Sequence, residues 1–119
     1  MTDEPIRLDG QVAAAISNVV VNQLANTTGR GPTHAKTTFG ENAVFVVLQD
    51  TLTRGERSLV GAGQSGAVLD LRRRWQGVMR ESCSREVERL TGRAVVGFMS
   101  DNHIDPDIAV EVFILEPLT

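Results

Sequence analysis

Gly29-Arg30-Gly31-Pro32-Thr33-His34-Ala35-Lys36-Thr37-Thr38-Phe39-Gly40-Glu41-Asn42-Ala43-Val44-Phe45-Val46-Val47-Leu48 is the stretch that decides the fold. A turn punctuated by Gly and Pro leads into His34, Lys36 and Thr38, which alternate with Ala35, Thr37 and Phe39. That is the period of a strand with one polar face. Gly40-Glu41-Asn42 supplies the turn chemistry of a short hairpin. Ala43 to Leu48 is then a continuous apolar run of β-branched character, read as a central strand covered on both faces.

The flanking segments extend this hairpin into a domain. On its N-terminal side, residues 1–8 read as a loose leader and Asp9 as a helix N-cap. Val12, Ile16, Val19, Val20 and Leu24 recur at helical spacing, and Gly29 is the natural left-handed stop. On its C-terminal side, Thr53 with Glu56 matches a capping box for a short helix to about Val60, which Gly61-Ala62-Gly63 breaks. A long helix runs from about Ser65 to Thr91, with Val68, Leu71, Trp75, Val78, Met79, Ser82 and Leu90 expected on one face. Ala94 to Met99 makes a third strand, Ser100-Asp101-Asn102-His103 and Asp105-Pro106-Asp107 a polar connection, and Ile108 to Leu115 a fourth strand. The expectation is an α+β domain over residues 9–119, ordered α-β-β-(short α)-α-β-β. Its antiparallel four-stranded sheet carries helices on one face, and the strand order is left open.

Composition bounds the function. The chain of 119 residues is 41% hydrophobic and 23% charged, ordinary for one globular domain, with a net charge of −3. An acidic balance argues against nucleic acid as a partner, because phosphate neutralisation needs a basic surface. One cysteine excludes an internal disulfide and fits a reducing compartment. No apolar run approaches the roughly 20 residues of a membrane span. The expectation is a cytoplasmic protein that reaches a membrane only through a partner.

Several short motifs, in order, carry a family resemblance. They are Gly29-Arg30-Gly31-Pro32, then Thr51-Leu52-Thr53 and Glu56-Arg57 after the hairpin, then Leu90-Thr91-Gly92-Arg93-Ala94-Val95, and Ser100-Asp101 after the third strand. Over residues 9 to 116 the chain resembles the MpsC domain, named for a subunit of a proposed sodium-translocating, membrane-potential-generating system linked to inorganic-carbon supply. The resemblance implies an accessory or regulatory role exercised through protein contacts. The long helix departs from the family pattern at Gly77, Ser82 and Cys83, and the last connection departs at Asn102-His103-Ile104-Asp105-Pro106.

Each candidate site has a structural counterpart. Gly29, Arg30 and Gly31 could present amides and a guanidinium to an anion such as bicarbonate or phosphate, as a small sensor domain would; a helix stop and rigid strand entry explain the same residues. Ser100, Asp101 and His103, with Asp105 and Asp107, gather hydroxyl, imidazole and carboxylates; a polar hairpin loop does the same. Arg72-Arg73-Arg74 and the later arginines interleave with acids, the pattern of a solvated face laced by ion pairs. Cys83 reads as packing. At about 40 Å the long helix outreaches a typical strand, so a homodimer with Leu71, Trp75, Val78 and Met79 at its interface is expected. No catalytic residues, cofactor or metal site are assigned, and the protein is expected not to be an enzyme.

Overall fold

A computed structural model describes residues 5–118, so the first four residues of the expected leader lie outside the described part. Helix α1 (Gly10–Thr28) begins where the Asp9 carboxylate accepts from the amides of Gln11 and Val12, both at 3.1 Å. It ends at Gly29, whose φ of 84° is the left-handed conformation that glycine adopts without a steric penalty. Strands β1 (His34–Phe39) and β2 (Ala43–Gln49) form the first hairpin. Helix α2 (Arg54–Gly61) carries the capping box, with Glu56 N donating to Thr53 Oγ1 and Thr53 N to Glu56 Oε1. Helix α3 (Ser65–Thr91) stops at Gly92, again left-handed, and β3 (Val95–His103) with β4 (Ile108–Leu115) closes the fold.

The sheet is antiparallel in the order β1-β2-β4-β3, so the two hairpins join within one chain through β2 and β4. Both long helices lie on one face. Between them and the sheet sit Ile16, Val20 and Leu24 of α1, Met79, Cys83 and Val87 of α3, Val44, Val46 and Leu48 of β2, and Phe113 and Leu115 of β4. Each such fully buried side chain contributes roughly 1.5–3 kcal/mol of transfer free energy, which makes this layer the main source of stability. Leu8, at the end of the expected leader, packs against the same core. Arg93 fastens the far end, donating to the carbonyls of Glu116 and Glu41 and to Asn42 Oδ1.

Three expectations are corrected. β2 is central but covered on one face only: Val44, Val46 and Leu48 are buried, while Phe45 and Val47 alternate outward. The reason is that both long helices stack on the same side. Secondly, Ser100 to His103 continue β3, because the ladder to β4 runs as far as His103 opposite Ile108; the connection is only Ile104–Asp107. Thirdly, α3 buries Arg72 and Gln76, whereas Leu71 and Val78 face outward.

Candidate functional site

The polar end of the sheet, beyond the last residues of β2 and the first of β4, collects most of the chemistry-bearing side chains. Asp50 leaves β2 with φ of 58°, a left-handed turn that aspartate tolerates better than most residues. This turn aims the Asp50 carboxylate at two arginines. Arg30 Nη2 donates to Asp50 Oδ2 at 2.8 Å, and Arg57 of α2 bonds Asp50 Oδ1. A second Arg30 donor reaches the Leu52 carbonyl. The Arg30 hydrogen bond holds the Asp50 carboxyl below its ordinary range; partial desolvation opposes it, and the charge of Arg30, a Thr33 bond and the charge of Arg57 reinforce it.

Asp107, from the last connection, completes the joint. Its Oδ1 accepts from Thr51 Oγ1 and its Oδ2 from the Leu52 amide, each at 2.9 Å, while its carbonyl accepts from Asp50 N at 3.0 Å. Arg57 Nη2 lies 3.9 Å from Asp107 Oδ2. Beneath these groups Arg72 is 2% exposed and uses four of its five N–H donors: Nε and Nη2 meet the two Glu56 oxygens at 2.7 Å, and Nη1 and Nη2 reach Thr51 Oγ1 and its carbonyl. Arg72 also lies over the Trp75 ring, 5.9 Å from its centroid. Two open clefts border the joint and share Leu52 and Arg57. One, of about 300 Å³, is walled by Val60, Ile104, Asp105 and Asp107; the other, of about 400 Å³, by Arg30 and Arg54.

The two motifs read separately in the sequence therefore meet. Arg30 of the Gly29-Arg30-Gly31 turn and Asp107 of the last connection stand on either side of Asp50 and Arg57. The backbone amide of Arg30 donates to Thr28 Oγ1 at 3.2 Å, which in turn bonds the Leu24 carbonyl, so the turn's own polar groups partly close on themselves. Arg54, Arg57 and Asp50 are not among the site residues that the sequence suggests. Only the order Thr51-Leu52-Thr53 and Glu56-Arg57 hinted that this segment mattered.

Asp101 and His103 share one side of β3, and Ser100 does not join them. Asp101 and His103 point to the open face of the sheet, and His103 Nδ1 sits 2.8 Å from the Pro106 carbonyl; Ser100 points to the helix side. There, Ser100 faces Glu111 across the ladder. Glu111 is 3% exposed, and its Oε2, with Ser100 Oγ and Asn102 Oδ1, has no hydrogen-bond partner among the described residues. Burial pushes the Glu111 carboxyl up to about 7, against the pull of Ser100 and Arg72. Burial, and then the Glu111 charge, push the Cys83 thiol up to about 12, which suits a packing role. Of the expected dimer residues, Leu71 and Val78 are exposed, Trp75 is half-buried, and Met79 belongs to the core of its own chain. Among the described residues no three His, Cys, Asp or Glu side chains are grouped as a metal ion would need.

Residues 8–117 match the family described as Na+-translocating membrane potential-generating system (MpsC). This chain belongs to the MpsC family. No curated protein and no solved structure is detectably similar to it. In this MpsC chain none of the described helices is long and apolar enough to cross a membrane. The match covers the whole helix-and-hairpin framework, from the residue before Asp9 to two residues beyond β4. Thus Arg30, Asp50, Arg57, Arg72 and Asp107 all lie inside the MpsC region.

Proposed function

We propose that this MpsC-family protein is a non-enzymatic accessory or regulatory subunit that acts through protein contacts in a Na+-translocating, membrane potential-generating system. The observation that carries this reading is the apolar surface the fold leaves uncovered. Met99 is 56% exposed, and Phe45 and Val47 join it on the open side of the sheet; Val96, at the bulge of β3, is 65% exposed and Val78 on α3 74%. Contiguous exposed apolar residues mark protein interaction surfaces, and burying them against a partner removes their hydration cost. The titratable groups of the polar end support the same reading. Asp50, Glu56 and Asp107 each accept from an arginine, a hydroxyl or an amide, an arrangement that ties segments together.

The test is purification of tagged protein from native membranes after mild solubilisation. The expected result is co-purification with a subunit that carries membrane-spanning helices, unchanged by Arg30→Ala. Recovery as a soluble homodimer with nothing else bound overturns the reading. A second reading, an anion-binding sensor, is favoured by one observation: Arg30, Arg54 and Arg57 line a single cleft. A saturable rise in thermal stability with bicarbonate or inorganic phosphate, lost in Arg30→Ala, would establish it.

A further inference from the structure

The open face of the sheet has an order that apolarity alone does not require. The ladder aligns Lys36 with Val47, Val47 with Val110, and Val110 with Asp101, one residue from each strand in a single row. All four point away from the helices, as the alternation of burial along each strand requires. The row is thus a cation, two valines and an anion. The next row is Thr38, Phe45, Val112 and Met99. With strands about 4.8 Å apart, Lys36 and Asp101 are separated by roughly 14 Å and cannot pair within one chain. Neither makes a salt bridge among the described residues.

We propose that this face is a self-association surface whose occupant is a second copy of the chain, stacked face to face about a two-fold axis parallel to the strands. That rotation lays β1 over β3 and β2 over β4 of the second copy. Lys36 then meets Asp101 twice, once at each side, and Val47 meets Val110 twice between them. A two-fold axis across the strands would instead set Lys36 on Lys36 and Asp101 on Asp101, so the charges select one orientation. A receptor for the lysine already exists. A groove of about 210 Å³ is lined by Asp101, Asn102, His103, Ile108 and Val110, offering apolar walls to the lysine stem and a carboxylate to its ammonium. Aligned sheets pack about 10 Å apart with a tilt near −30°, which interdigitates Phe45, Val47, Val110 and Val112 of the two copies. The proposal deepens the contact reading above by naming the first partner, and it moves the dimer from the long helix to the sheet.

Sedimentation velocity of the full chain across a dilution series tests it. The expected wild-type species has twice the chain mass of 12.9 kDa. Lys36→Asp or Asp101→Lys alone places like charges together at two symmetric points and is expected to weaken the dimer about ten-fold or more. The double variant Lys36→Asp with Asp101→Lys is expected to restore it. All three variants alter exposed side chains, and circular dichroism verifies that they stay folded. A monomeric wild type, a dimer indifferent to both single reversals, or a dimer dissociated instead by Val78→Glu would each overturn the proposal. If the chain is monomeric yet still co-purifies with a membrane-spanning subunit, this inference fails while the proposed function stands.

Discussion

Arg72 and Glu56 form a two-pronged ion pair, both bonds 2.7 Å long, with each side chain only 3% exposed. The pair joins α3 to the capping box of α2, because Glu56 Oε1 also receives the Thr53 amide. Desolvation pushes the Glu56 carboxyl up, yet the Arg72 and Thr53 bonds outweigh it and hold the group below its ordinary value. Removing Arg72 leaves the Glu56 charge buried with only the Thr53 amide to offset it. Arg72→Met is therefore expected to cost on the order of 3–5 kcal/mol, read as a lower urea midpoint at unchanged slope. A loss below about 1 kcal/mol would mean that water reaches Glu56 and screens it. Because the folded carboxyl is the stronger acid, this contribution is present near neutrality and is lost as pH falls through that lowered value.

Glu111 runs the other way. Its carboxyl rises from 4.5 to about 7 on burial, so the folded chain holds a proton that the unfolded chain releases. The stabilisation is complete below about 4.5 and is lost as pH rises through about 7, a change on the order of 3 kcal/mol by linkage. A protonated Glu111 carboxyl also has a donor to offer Ser100, its partner across the ladder. Glu111→Gln, neutral at every pH and of the same shape, is expected to flatten this slope and to be the more stable protein at pH 8. Denaturant midpoints at pH 5 and pH 8 check it, and parallel slopes for the two proteins would refute it.

Gly77 stands inside α3 with nothing within 4 Å of the position its Cβ would take. A glycine inside a helix is a common mark of close packing or a bend, but the space beside Gly77 is open. Gly77→Ala should therefore stabilise the monomeric fold by roughly 0.5–1 kcal/mol, through a smaller loss of backbone entropy on folding. A higher melting temperature is the expected readout. A lower one would reveal a molecule pressed against α3 at that point.

Much of the framework was legible because its signals are local. Asp9, Thr53 with Glu56, Gly29 and Gly92 announce helix ends through groups no more than four residues apart. The candidate site was legible only in fragments. Arg30 and the last connection could each be singled out, but nothing along the chain says that they meet around Asp50, because the joint depends on β2 and β4 pairing across more than fifty residues. The inner face of α3 is illegible in the sequence for a related reason. Periodicity ranks Leu71 and Trp75 as inward by their apolarity, yet Arg72 is buried because Glu56 and Thr51 arrive from elsewhere to satisfy its donors.

The sequence by itself determined the elements, their order, their caps and the one-sided character of the helices, since these follow from the spacing of neighbouring residues and from backbone preferences. Tertiary structure decided three other things. These are the strand order that unites both hairpins, the burial of a charged arginine in a matched polar shell, and the row that sets Lys36 and Asp101 at opposite margins of an uncovered apolar face. An apolar run such as Ala43 to Leu48 has the same pattern whether its second face meets its own chain or another molecule. Only the stacking of α1 and α3 on a single side shows which face was left open.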